Sequence, residues 1–139
     1  MQPTLIIDAD DTLWESEVYY QQCVDAFAEL MTGLGLNVQQ ALQVLDQVEA
    51  EHVLTTGYGP YAFIDNMIET YRRVCAQAGQ PVDTDVPAQI RRFGQIVVKS
   101  PVNLLPGVAE TLPQLHRHFR LILLTKGDHD VQTDKLTRS

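Results

Sequence analysis

Apolar positions along the chain follow two kinds of pattern. Leu5, Ile6 and Ile7 form an unbroken run that ends in Asp8, and a second run from Leu121 to Leu124 ends in Thr125. Short branched runs without alternation predict strands covered on both faces, here residues 4–8 and 121–124. Between them the period lengthens to three and four. Tyr20, Val24, Phe27, Leu30 and Met31 predict a helix from Ser16 that stops at Gly33 and Gly35. Asn37 is placed to cap a second helix carrying Val38, Leu42, Leu45 and Val48. The loop TTGYGP at 55–60 leads to a third helix opened by Pro60, with Tyr61, Ile64, Ile68, Tyr71 and Cys75 on one face. Asp85 can cap a fourth, with Val86, Ile90, Phe93 and Val97 inward. The chain breaks between Pro101 and Pro106. A fifth helix then runs from about Val108 to His118, and Pro113 is expected to kink it or delay its start. A last helix begins at Asp128 or Asp130, with Val131 and Leu136 inward.

Apolar strands on either side of a block of helices suggest a parallel pair in an α/β sheet. Four helices are too many for one crossover, so they read as an inserted bundle. The expected division is an α/β core made of residues 1–15 and 101–139, with residues 16–100 as a separate helical cap. Two parallel strands make a poor sheet, because both faces and both edges need cover. The chain is therefore expected to be cut short. It is also expected to self-associate through its exposed core strands or to come from a longer protein.

Composition narrows the classes of partner. A hydrophobic share of 45% and a charged share of 20% are those of a globular domain rather than a disordered one. The net charge of -8 argues against a nucleic-acid partner and against an anionic membrane surface. No apolar run reaches the ~20 residues that span a bilayer, and no secretory leader is legible at the N-terminus. Cys23 and Cys75, the only two cysteines, fall in apolar helix-like stretches and read as free thiols. A cytoplasmic setting is expected.

The chemistry gathers at the strand ends. Ligands of open α/β sheets bind beyond the carboxyl ends of the strands, where Asp8, Asp10 and Thr125 stand. Asp8 and Asp10 are two apart and would share a face if the strand continued. Crowded carboxylates call for a cation, and hard oxygen donors suit Mg²⁺, which takes one or two carboxylates and keeps several waters. The plainer reading of Asp8 and Asp10 is a cluster capping the helix that follows. His116 and His118 point apart on a helix and make poor joint ligands. GDHD at 127–130 reads as an acidic helix start, His52 as a surface residue, and Trp14 as packing between core and cap. The loop around Tyr58 could overhang the site.

DADDT at 8–12 matches the D-x-D-x-T motif of the haloacid dehalogenase superfamily of hydrolases. LILLTKGD at 121–128 resembles that family's second motif, and NLLPGVAETLPQL the entry into the preceding helix. The insertion after the first motif is similar to the family's α-helical cap. The resemblance implies a Rossmann-like core, incomplete here, and hydrolysis of a small phosphorylated substrate with Mg²⁺. It implies Asp8 as nucleophile and metal ligand, and Asp10 as general acid and then base, with its backbone carbonyl on the metal. Thr125, with the backbone N–H groups of Lys126 and Gly127, would hold phosphate oxygens. Thr12 would brace the loop, and Asp11 has no catalytic role. Expelling halide needs no proton whereas expelling an alkoxide does, so Asp10 favours phosphate ester hydrolysis over dehalogenation. The resemblance also implies a later Lys and one or two later acidic residues. Lys135 stands only ten positions past Thr125, closer than that Lys is expected, and Lys126 reads as an exposed turn residue. The rival reading is a truncated, non-catalytic chain acting as a binding or oligomerisation module.

Overall fold

The computed structural model describes residues 2–139. In chain order the elements are β1 (Thr4–Ile7), α1 (Glu17–Gly33), α2 (Val38–Thr56), α3 (Pro60–Ala78), α4 (Val86–Val98), α5 (Val108–His116), β2 (Arg120–Leu123) and α6 (His129–Arg138). β1 and β2 pair in parallel with Thr4 opposite Arg120 and Ile7 opposite Leu123. This is an α/β core with a short parallel sheet and an inserted bundle of four helices, as the pattern of the sequence predicts.

The bundle holds the larger of two apolar clusters. Phe27 and Met31 from α1, Val48 from α2, Met67 from α3 and Ile90 from α4 are fully buried in it. α3 packs against both α2 and α4, and α1 closes the ring against α4 and α2. Local signals set the helix ends. The Asn37 side chain accepts from the Gln40 N–H at 2.9 Å, a cap that contributes about 1 kcal/mol. Gly79 ends α3 in the left-handed region at φ 66°. Asp85 holds the N-cap position of α4 without a side-chain cap bond. α5 starts where expected, ends at His116 rather than His118, and keeps Pro113 inside.

The smaller cluster lies under the sheet, where Ala9, Leu13 and Trp14 are buried against Ile7, Val108, Leu112 and Leu123. The strands differ from expectation here. Both alternate between half-buried and exposed residues, because helices cover only one face. On the other face Ile6 is 61% exposed and Leu124 64%.

The two crossings between sheet and bundle run side by side. Leu105 N–H donates to the Leu13 carbonyl at 2.9 Å and Glu15 N–H to the Asn103 carbonyl at 3.0 Å. Asn103 also donates through its side chain to the Glu15 carboxylate and the Tyr19 hydroxyl, each at 3.1 Å. This double connection fixes the bundle above the carboxyl ends of the strands. No helix among the described residues is long and apolar enough to cross a membrane.

Candidate active site

The two motif segments leave the sheet together. Leu124 N–H donates to the Ile7 carbonyl at 2.9 Å, so Asp8 and Thr125 follow directly after a paired step. The chain then turns sharply and does not continue as a strand. Thr12 and Leu13 N–H both donate to the Ala9 carbonyl, at 3.1 and 2.8 Å, over a fully buried Ala9. Asp11 sits in the left-handed region at φ 58°, which Asp tolerates better than most side chains. Its carboxylate accepts from the N–H groups of Ser16 and Glu17, at 2.9 and 3.0 Å. Asp11 thus satisfies the free donors at the start of α1, where Ser16 makes no side-chain cap bond. The capping role fits Asp11, not Asp8 or Asp10.

Asp8 is exposed, and one carboxylate oxygen accepts from the Thr12 hydroxyl at 3.1 Å. Asp10 is half-buried and enclosed by donors. Oδ1 accepts from the Trp14 indole at 2.8 Å and from Lys135 Nζ at 2.9 Å. Oδ2 accepts from Gln132 Nε2 at 2.9 Å. Burial by itself pushes the Asp10 carboxyl up; the Lys135 ammonium and the Trp14 and Gln132 donors outweigh it and hold the group below the ordinary carboxylate value. Trp14 is buried in the cluster under the sheet, with none of the bundle's residues in that cluster, and it also grips Asp10.

Thr125 is half-buried, and its hydroxyl accepts from Gln132 Nε2 at 2.6 Å. Lys126 is exposed, with its ammonium 5.1 Å from the centre of the Tyr58 ring, a cation–π contact from the cap loop. Beside it Gly59, at φ 128°, lies against Asp128, where a β-carbon would clash with the carboxylate. The 57–60 loop does overhang the second motif, and a glycine lets it come that close.

Asp8, Asp10, Thr125, Lys126 and Gly127 all line one cleft of about 830 Å³. Its far wall is the underside of the bundle. There Tyr20 and Phe63 meet edge-on with ring centres 5.2 Å apart. Glu49 belongs to the same wall, and burial, with Asp46 and Glu17 nearby, pushes its carboxyl up. His52 is not a plain surface residue: its Nδ1 lies 2.9 Å from Asn66 Oδ1. Tyr20 is pushed up by burial, with the Asp10 charge adding to it.

Two side chains at the site lie outside the set expected from sequence. Lys135 is buried, with its side chain 4% exposed, and contacts Asp10 and the Ser16 hydroxyl, the latter at 3.3 Å. It lies in the helix that leaves β2, and although it stands closer to Thr125 than the later Lys is expected, it reaches Asp10 from there. The expected inward face of α6 is corrected, since Leu136 is 53% exposed while Val131 and Lys135 are buried. Val131 and Lys135 are four apart and share a helix face; Val131 and Leu136 are five apart and do not. Gln132 is the other, and no motif pointed to it.

The donor chemistry suits Mg²⁺ in part. Asp8 offers a carboxylate oxygen not used by Thr12, and no hydrogen bond among the described residues takes the Asp10 carbonyl. No group of three or more His, Cys, Asp or Glu side chains among the described residues is placed to hold a metal ion. The two oxygens make a partial site of the kind that leaves most positions to water.

A family model for haloacid dehalogenase-like hydrolases matches residues 3–139. Among solved structures, a haloacid dehalogenase-like family hydrolase from Xanthomonas campestris is 28% identical with a TM-score of 0.84; the alignment covers 99% of this chain and 57% of that one. A predicted phosphoglycolate phosphatase from Haemophilus somnus is 18% identical with a TM-score of 0.53, over 99% of this chain and 57% of that one. The L-2-haloacid dehalogenase from Xanthobacter autotrophicus is also 18% identical, with a TM-score of 0.52, over 99% and 52%. These last two show the fold alone. The chain thus spans little more than half the length of these structures. No curated protein sequence matches it. With the family model matched over nearly the whole chain, and with both motifs at the ends of paired parallel strands, the chain belongs to the haloacid dehalogenase-like hydrolases.

Proposed function

We propose that this site hydrolyses a small phosphate monoester with Mg²⁺, through an aspartyl-phosphate on Asp8. The family holds both phosphatases and dehalogenases, so the fold does not choose between them. The observation that carries the choice is the second carboxylate: Asp10 lines the cleft beside Asp8 and is fixed through both of its oxygens. Halide leaves without a proton, and a dehalogenase would gain nothing from such a group. In the ester reaction Asp8 attacks phosphorus, and the leaving oxygen takes its proton from Asp10. Asp10 then takes a proton from the water that attacks the acyl phosphate, which restores Asp8. Thr125 and the N–H groups of Lys126 and Gly127 would receive the phosphate oxygens. Mg²⁺ would be held by the Asp8 carboxylate and the Asp10 carbonyl, and supplies charge neutralisation around the phosphate.

The test supplies Mg²⁺ and a panel of aryl and alkyl phosphates, and in parallel 2-haloacids, to the 139-residue chain. Phosphate release that a chelator removes is expected, at a low rate because the described residues offer a partial set of metal donors. Halide release without phosphate release would replace the reading with dehalogenation. Neither release would favour the second reading, a non-catalytic module, which the incomplete donor set motivates.

The second reading and the expected self-association would use one surface. Ile6, Ile122 and Leu124 leave the uncovered face of a two-stranded sheet, and each strand has an unpaired edge. Wetting such side chains forgoes about 1.5–3 kcal/mol each. A second copy of the chain seated on this face is the expected occupant. Light scattering should then give more than 15.6 kDa, and Ile6→Lys with Ile122→Lys should return the mass to that value. A wild-type monomer would exclude this use of the face.

A further inference from the structure

We propose that Gln132 and Lys135 are positioning residues that set the Asp10 carboxylate and the Thr125 hydroxyl in fixed relation. They stand three apart on α6 and so share a face of the helix. Lys135 places an ammonium where its side chain is 4% exposed, a costly burial unless the charge is met. Two acceptors meet it, Asp10 Oδ1 at 2.9 Å and Ser16 Oγ at 3.3 Å. Gln132 Nε2 lies 2.9 Å from Asp10 Oδ2, 2.6 Å from Thr125 Oγ1 and 3.0 Å from the Lys126 carbonyl. One amide nitrogen therefore bridges the segment after β1 to the segment after β2. With Trp14 on Oδ1, every oxygen of the Asp10 carboxylate has a donor, and the group is confined to one orientation. The face of α6 thus fixes the spacing between the proton-transfer group and a phosphate-binding hydroxyl. Reactions that depend on such spacing lose about 10²-fold for a misplacement of about 1 Å.

The inference rests on the phosphatase reading for what is being positioned, but the contact itself is readable without turnover. Trp14 is the chain's sole tryptophan, and its indole N–H donates to the same Asp10 oxygen as Lys135. Its emission reports on that oxygen.

The experiment compares Lys135→Met, Lys135→Arg and Gln132→Ala with the wild-type 139-residue chain. It follows Trp14 emission, and Mg²⁺-dependent turnover of an alkyl and an aryl phosphate. Lys135→Met should lower kcat by about 10–100-fold, the loss usual for a residue that orients a site group. The loss should be larger on the alkyl ester, with KM little changed, because the alkyl leaving group depends on Asp10. Trp14 emission should shift in the Met variant. Lys135→Arg should recover part of the rate and keep the wild-type emission. Gln132→Ala should lower kcat on both esters, since it loosens Thr125 as well. Unchanged kcat, equal losses on both esters in Lys135→Met, or no rescue by Arg would overturn the proposal. A Met variant that fails to fold leaves Gln132→Ala and Lys135→Arg to decide by the same criteria. If the wild-type chain turns over neither ester, the phosphatase reading fails, and emission alone decides the contact: a shift in the Met variant upholds it, an unshifted band overturns it.

Discussion

Asp8→Asn should remove nearly all turnover while leaving the fold intact. The amide is nearly isosteric with the carboxylate but cannot attack phosphorus, and on the proposed reading it gives up the carboxylate charge offered to Mg²⁺. Losing a nucleophile costs on the order of 10⁴-fold or more in rate when the residues around it act as one unit. The fold has little reason to change. Asp8 is exposed, and its one side-chain hydrogen bond comes from the Thr12 hydroxyl, which an amide oxygen can also accept. Exposed substitutions of this kind usually stay within about 0.5 kcal/mol. Removing a charge next to Asp10 and Asp11, in a chain of net charge -8, also relieves repulsion, so melting should be unchanged or slightly higher. The measurements are Mg²⁺-dependent phosphate release and a thermal melt on the same sample. A variant that keeps even about a tenth of the wild-type rate would take the nucleophile's role away from Asp8.

The parts of this site legible in the sequence are those whose physics is local. Asp8 and Thr125 announce themselves because an apolar run ends in each, and a parallel pair puts such ends side by side. The four bundle helices are legible because Phe27, Val48, Ile68 and Ile90 each belong to a run of apolar residues at helical spacing, and each is buried. The strands were misjudged on one point. Their runs read as covered on both faces, yet Ile6 and Ile122 are exposed, because hydropathy registers what a segment needs and not what lies against it. α6 hid its contribution for the opposite reason. Its buried residue is a lysine, which hydropathy assigns to solvent, and its burial is decided by a carboxylate 125 positions earlier. A signal existed: Val131 needs cover, and the residue four further on is Lys135, not Leu136. Helical spacing from Val131 points to Lys135 as its neighbour on the buried face. Gln132 offered no such signal, since its three acceptors come from two distant segments that only the sheet brings together.

Asp10→Asn should separate substrates by their leaving groups. As arranged here Asp10 is ionised, with the Lys135 ammonium and the Trp14 indole on one oxygen and Gln132 on the other. That state suits the second half of the proposed reaction, where a base must take a proton from water. The first half needs the protonated form. On the proposed reading, a phosphate dianion arriving beside Asp10 would push that carboxyl up, toward the form the first half needs. An asparagine can serve in neither half. General acid–base groups contribute about 10²–10⁴-fold, so alkyl phosphates should lose a factor in that range. Aryl phosphates leave without help and should lose less in the first half, so a burst of released phenol should survive in the variant while steady turnover falls. The pH dependence has a definite sign. A carboxyl held below its ordinary value in the folded chain stabilises that chain at pH above the ordinary carboxylate range. The contribution is lost as pH falls through the depressed value. Wild type should therefore lose stability on acidification through that window, and Asp10→Asn should lose less of it. The variant should also be less stable than wild type at neutral pH, because the buried Lys135 ammonium loses its counter-charge. Equal losses on alkyl and aryl esters, in burst and steady state alike, would show that Asp10 only holds Lys135, Trp14 and its own backbone segment in place.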